Sequence, residues 1–291
     1  MLVSGFSIIR NALKFDYPIK EAILSILPIC DEFVISVGNS EDETLDYIKN
    51  IKSDKIKIVE SVWNDNLREG GRVLAEETNK AFNQINNNSD WAFYIQADEV
   101  LHERYLEKIY NIMKENLNKE KVDGILFNYK HFYGSYDYIG ESNRWYRKEI
   151  RIIRNKKNIY SYGDAQGFRK DKNKKLNVID SGCEIYHYGW VKHPKHQQEK
   201  QLNFNKMWHS DEWVDNNIAK VDEFDYSQID SLELFTGSHP LVMQERIKML
   251  NWKFEHDISI KKYSSKEKVQ RLIEKIFKRR IGEYKNYYLI K

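Results

Sequence analysis

The stretch Trp91-Ala92-Phe93-Tyr94-Ile95-Gln96-Ala97-Asp98-Glu99 sets the architecture. Its first five residues form an unbroken apolar run, the pattern of a buried strand. Two adjacent carboxylates at the carboxyl end of such a strand lie where open α/β sheets bind ligands, and hard divalent cations take oxygen ligands there. The simpler alternative is that Asp98 and Glu99 only open a loop and cap the helix expected from about Glu103 to Leu117.

Upstream of this run, strands and helices alternate. Val3 to Ile9, Phe33 to Val37 and Ile56 to Val59 read as strands; Pro18 to Leu27, Ser40 to Asn50 and Gly71 to Phe82 read as helices. Alternation at these lengths implies right-handed crossovers and a mostly parallel, doubly wound sheet over residues 1 to about 120. After Asp123-Gly124 the segments become extended and aromatic, over Ile125 to Phe132, Glu149 to Ile153 and Cys183 to Tyr188. Helical periodicity returns from about Pro194, and Asp211 to Ser238 reads as loop and short helix over a cleft. The expected layout is a domain over 1–205, with halves 1–120 and 121–205, and a helical C-terminal extension over 206–291.

Composition excludes several classes. At 291 residues, 41% hydrophobic and 13% aromatic, the chain is too apolar to be disordered, and no apolar run approaches the roughly 18 residues that span a bilayer. Met1 to Ile9 runs into Arg10-Asn11 without a basic leader or a small-residue cleavage site, so it reads as a first strand and not a signal peptide. Two cysteines, Cys30 and Cys183, make no disulfide framework, and a reducing, cytoplasmic setting is the expectation. The net charge of +3 is uneven: Lys261 to Lys291 holds 11 Lys or Arg against 3 Glu. Within it Val269, Leu272, Ile273, Ile276 and Phe277 follow helical spacing. This tail reads either as a basic amphipathic helix touching the inner face of an anionic membrane or a lipid-linked acceptor, or as a solvated helix packed on the body. Basic charge confined to one tail speaks against nucleic-acid binding.

No GxxxxGK[ST] loop and no GxGxxG after the first strand occur, so a nucleotide must be held in another way. The strand ends supply Arg10 and Asn11, then Gly38, Asn39, Ser40 and Asp42, then Asp98 and Glu99, which a doubly wound sheet would bring to one crevice. In the order Phe6-Ser7-Ile8-Ile9-Arg10-Asn11, Asp31-Glu32-Phe33-Val34, Ser40-Glu41-Asp42-Glu43-Thr44 and Gln96-Ala97-Asp98-Glu99, the chain resembles family 2 glycosyltransferases of the GT-A fold over roughly residues 3 to 200. The resemblance implies a hexosyl-type, inverting transfer from a nucleotide-sugar donor to a glycan or lipid-linked saccharide in polysaccharide biosynthesis, with Mn2+ or Mg2+ bridging the donor diphosphate at a DxD-type motif.

In those terms Arg10, Asn11, Asp42, Asn79, Gln96, Ala97 and Asp98 contact the donor, and Asp98 with His187 of Tyr186-His187-Tyr188-Gly189-Trp190 holds the metal. Asp164, in Ser161-Tyr162-Gly163-Asp164-Ala165-Gln166-Gly167, stands where the family carries its base, with Glu141 and Asp137 in reserve; a turn aspartate bonded to its own backbone is the plainer alternative. Trp145 and Glu141 face the acceptor. Two departures stand out: Gln96 replaces the acid that usually begins the motif, and Val37-Gly38 replaces paired acids after the second strand. His193 and His196 read as surface residues of a loop entering a helix, with Lys195 and Lys200 near enough to neutralise phosphate. A scaffold that kept the fold without catalysis is the alternative that Gln96 raises. Nucleotidyl transfer would call for a glycine-rich loop that Arg10-Asn11-Ala12-Leu13-Lys14 does not supply.

Overall fold

The computed structural model describes residues 1–277 and 283–290. Lys278, Arg279, Arg280, Ile281, Gly282 and Lys291 of the basic tail lie outside the described residues. The first half alternates as β1 (Val3–Ile9), α1 (Ile19–Ile26), β2 (Glu32–Gly38), α2 (Thr44–Lys49), β3 (Ile56–Ser61), α3 (Arg72–Phe82) and β4 (Trp91–Tyr94). The strands lie in the order β3-β2-β1-β4, every neighbouring pair parallel. This is the α/β class with helices on a parallel-rich sheet that the apolar runs imply.

The uninterrupted apolar character of β4 has a direct cause. Side chains alternate between faces along a strand, and both faces are covered. Trp91, Phe93 and Ile95 pack with Ile23 of α1 and Ile48 of α2, whereas Ala92 and Tyr94 pack with Val73, Ala81 and Phe82 of α3 on the opposite side.

Past β4 come β5 (Glu99–Leu101), α4 (Leu106–Glu115), β6 (Gly124–Tyr133), β7 (Tyr138–Gly140), β8 (Lys148–Arg154), β9 (Ile159–Tyr162), β10 (Gly167–Lys170) and the long β11 (Lys174–Trp190). Here the sheet becomes mixed: β8 is inserted antiparallel between β4 and β6 and β5 lies antiparallel on β11, while β6 and β11 run parallel. The 3-10 turn Glu103–Tyr105 that leads into α4 is capped by His102, whose ring accepts from Arg104 N, so the two acids are not the cap. Glu99 opens β5 instead.

The C-terminal part contains α5 (Pro194–Asn205), α6 (Asp211–Asn217), β12 (Leu232–Leu234), α7 (Gln244–Lys248), α8 (Ser265–Phe277) and β13 (Tyr287–Leu289). The extension expected to be helical also adds strands to the body. Two of its segments pair back, β12 on β7 and β13 parallel to β11. Among the described residues no helix is long and apolar enough to cross a membrane.

Candidate active site

The carboxyl ends of β1 and β4, the β9–β10 turn, the end of β11 and α5 surround a cavity of about 480 Å3, within the range of ligand pockets. Arg10, Asn11, Gln96, Ala97, Asp98, Asp164 and His187 all line it. These residues come from four separate segments of the sequence.

Asp98 is buried between two partners. Its Oδ2 lies 3.2 Å from the Lys200 ammonium, and its Oδ1 lies 3.7 Å from His187 Nε2. Burial by itself would raise this carboxyl; the Lys200 ammonium outweighs burial and holds it well below the usual carboxylate range. Lys200 donates also to the Gly189 carbonyl at 3.0 Å. Gly189 is required by packing, since a Cβ there would stand 2.7 Å from Asp98 Oδ2.

His187 is oriented by a second imidazole that the sequence did not single out. His131 Nε2 lies 2.7 Å from the Tyr146 carbonyl, and His131 Nδ1 faces His187 Nδ1 at 3.1 Å. A carbonyl only accepts, so Nε2 of His131 carries the proton. Burial holds both rings below the ordinary histidine pKa and therefore neutral. His131 Nδ1 then accepts, His187 Nδ1 donates, and His187 Nε2 presents a lone pair toward Asp98. A carboxylate oxygen and an imidazole lone pair facing each other without a proton between them are groups that could together hold a divalent cation. Among the described residues no three His, Cys, Asp or Glu side chains converge as a self-sufficient metal cage.

Gln96 and Glu99 have structural tasks. Gln96 Nε2 donates to the Ala165 carbonyl at 3.2 Å, tying the end of β4 to the turn that carries Asp164. Glu99, fully buried, accepts two hydrogen bonds from Arg151 at 2.8 and 2.7 Å and one from Tyr129 at 2.6 Å. Asp164 sits in the turn between β9 and β10, where Gly163 (φ 59°) and Ala165 (φ 62°) are left-handed; glycine supplies the first without strain. Asp164 Oδ1 accepts from Gln166 N at 3.3 Å, the local bond of a turn aspartate, and the side chain still reaches the cavity.

Other expected residues lie elsewhere. Asp42 clamps loops, accepting from Lys14 N at 2.7 Å and Thr44 N at 3.1 Å. Asn79 bonds both backbone groups of Ser161, joining α3 to β9. Neither lines the main cavity. Trp145 and Glu141 line a second cavity of about 750 Å3 that shares Tyr146 with the first. Trp145 stacks on His131 at 5.0 Å. Glu141 is bound by Lys261, Arg271 and Ser231, contacts that outweigh its burial and hold its carboxyl down at about 2. Asp137, the other reserve base, accepts from Ser135 Oγ at 3.1 Å and is outside both cavities. His193 caps α5, accepting from Lys195 N, and lies outside the cavity. Arg10 pairs with Asp65 through two contacts of 2.5 and 3.2 Å and sits 5.7 Å above Trp63; nothing in the sequence marks Trp63 or Asp65 as its companions.

Behind the turn, Glu149 Oε2 is buried without a hydrogen-bond partner. Burial first, then the nearby Glu99 and Asp164, push its carboxyl up to about 8 against the opposing pull of Arg151. The folded chain therefore keeps this proton to about pH 8, while the unfolded chain releases it near the ordinary 4.5. Stability supplied by the protonated group is complete below pH 4.5 and is lost as pH rises through 8. Glu149→Gln is expected to flatten that decline, read as melting temperature against pH for both proteins.

The chain matches no protein-family profile and no curated protein sequence. Among solved structures it is similar to S. aureus TarS, at 16% identity and TM-score 0.42, covering 69% of this chain and 38% of that one. TarS 1-349 in complex with UDP gives 15% identity and TM-score 0.40, covering 76% and 70%. Glucosyl-3-phosphoglycerate synthase from Mycobacterium tuberculosis, in complex with Mn2+, UDP-glucose and glycerol 3-phosphate, gives 17% identity and TM-score 0.30, covering 45% and 44%. The chain thus spans little more than a third of the full TarS chain.

Proposed function

We propose that this chain is an inverting glycosyltransferase that takes a nucleotide sugar in the cavity at the β1 and β4 ends and passes the sugar to a saccharide hydroxyl. The observation that carries the reading is the convergence of Asp98, His187 and Lys200 with Asp164 around one cavity. Asp98 Oδ1 and His187 Nε2 would hold a divalent cation, which when bound supplies positive charge to the diphosphate leaving group. Lys200 adds a fixed ammonium beside that position, a preorganised charge where negative charge develops. Burial lowers its pKa, but Tyr17 and Asp98 more than offset that, so it stays protonated.

Arg10 and Asn11, at the end of β1, close the nucleoside side of the cavity. Asp164 takes the proton from the acceptor hydroxyl as that oxygen bonds to the anomeric carbon and the diphosphate departs. One displacement of this kind inverts the anomeric configuration. Gln96 is compatible with this chemistry because its amide positions the Asp164 turn.

A panel of nucleoside diphosphate sugars with Mn2+, followed by release of nucleoside diphosphate, tests the reading. One donor is expected to be turned over, and Asp164→Asn is expected to lower kcat about 10²- to 10⁴-fold, the usual worth of a general base, with donor binding by calorimetry little changed. Donor binding without turnover by any pairing would favour the scaffold alternative, and absence of both would remove the nucleotide-sugar assignment.

A further inference from the structure

Helix α8 is mounted with its polar side inward. Arg271 pairs with Glu141, Arg147 donates to Glu274 at 2.5 Å, and Asn143 donates to Gln270 at 3.0 Å. The opposite side carries Val269, Leu272, Ile276 and Phe277, exposed at 57, 59, 63 and 70%, and no residue of the helix is buried. An ordinary surface helix does the reverse, turning its apolar stripe to the core. Val269, Leu272 and Ile276 follow each other at three- and four-residue spacing and therefore form one continuous stripe.

We infer that this outward stripe of α8 lies on an anionic lipid surface. Charge selects that occupant. Lys266, Lys268 and Lys275 border the stripe, are exposed, and among the described residues form no ion pair. The segment Lys261 to Lys291 holds 11 basic residues against 3 acidic ones. An apolar face with lysines at its margins, on a helix of 13 residues, sinks its side chains to the acyl boundary while the ammonium groups meet lipid phosphates. A self-associating face would repel its own copy through the same lysines.

Sedimentation of the full chain with vesicles tests this. Binding to phosphatidylcholine mixed with phosphatidylglycerol is expected to exceed binding to phosphatidylcholine alone on the order of a hundredfold, from three lysines near the surface, and to weaken with salt. Val269→Glu with Ile276→Glu should abolish binding to both vesicles, with melting temperature and circular dichroism preserved because neither side chain is packed. Lys266→Gln with Lys275→Gln should cut the preference for the anionic vesicles about thirtyfold and leave binding to phosphatidylcholine alone unchanged. Equal binding to both vesicle types, no binding to either, or a dimer in ultracentrifugation that the Val269/Ile276 pair of substitutions dissolves would each overturn the inference.

Discussion

Exchange of Asp98 for asparagine is expected to cut the proposed glycosyl transfer on the order of a thousandfold, the loss seen when a group that stabilises transition-state charge is removed. The amide keeps the shape but no longer offers a charged oxygen opposite His187 Nε2, and it leaves the Lys200 ammonium without its counter-ion at 3.2 Å. An unpaired buried charge costs roughly 3–5 kcal/mol, so the variant should also melt earlier. The two effects separate in a cycle with Lys200→Met. The double variant loses both charges and should recover much of the melting temperature, while transfer stays low because neither the carboxylate nor the ammonium remains. Recovery of transfer along with stability would mean that Asp98 serves only to neutralise Lys200.

The second large effect is structural. Glu99 and Arg151 are both completely buried and joined by two short hydrogen bonds. Glu99→Gln strands the guanidinium and puts an amide nitrogen, which cannot accept, in place of one of the two oxygens that Arg151 and Tyr129 share. A loss of roughly 3–5 kcal/mol follows, about 10 °C in melting temperature for a chain of this size. Replacing both partners together, Glu99→Leu with Arg151→Met, should recover most of it, since an apolar pair needs no counter-charge. Differential scanning calorimetry of the three variants checks the order. Arg151 also donates to the Gln166 carbonyl at 2.9 Å, so Glu99→Gln should loosen the turn bearing Asp164 as well.

The first half of the fold was legible because its signal is local. Strands such as Phe33–Val37 and Trp91–Ile95 are apolar on both faces, and the helices between them carry their own start signals and periodicity. The rule that ligands gather at strand ends then points to Arg10, Asn11 and Asp98 as one region, and the family resemblance adds His187. The rest depends on pairings that sequence does not encode locally. Asp42 and Asn79 look like any polar residue near a strand end, yet backbone amides from distant loops occupy them. The sequence offers Lys200 beside Lys195 as a neutraliser of phosphate, but its pairing with Asp98 shows only once α5 is laid over that carboxylate. His131 sits mid-strand, marked by nothing but its identity, and matters only because β6 and β11 are neighbours in register, His131 opposite His187. Glu99 was grouped with Asp98 by adjacency, and the alternation of β5 sends the two side chains to different surroundings.

The seam between β11 and β13 bears on how the molecule can be handled at the bench. Tyr287 and Leu289 are laced to Leu176 and Val178, and Asn286 caps Tyr162 and Arg169 on the hairpin whose turn holds Asp164. Substitutions that unpair this seam would tug at the same hairpin from behind.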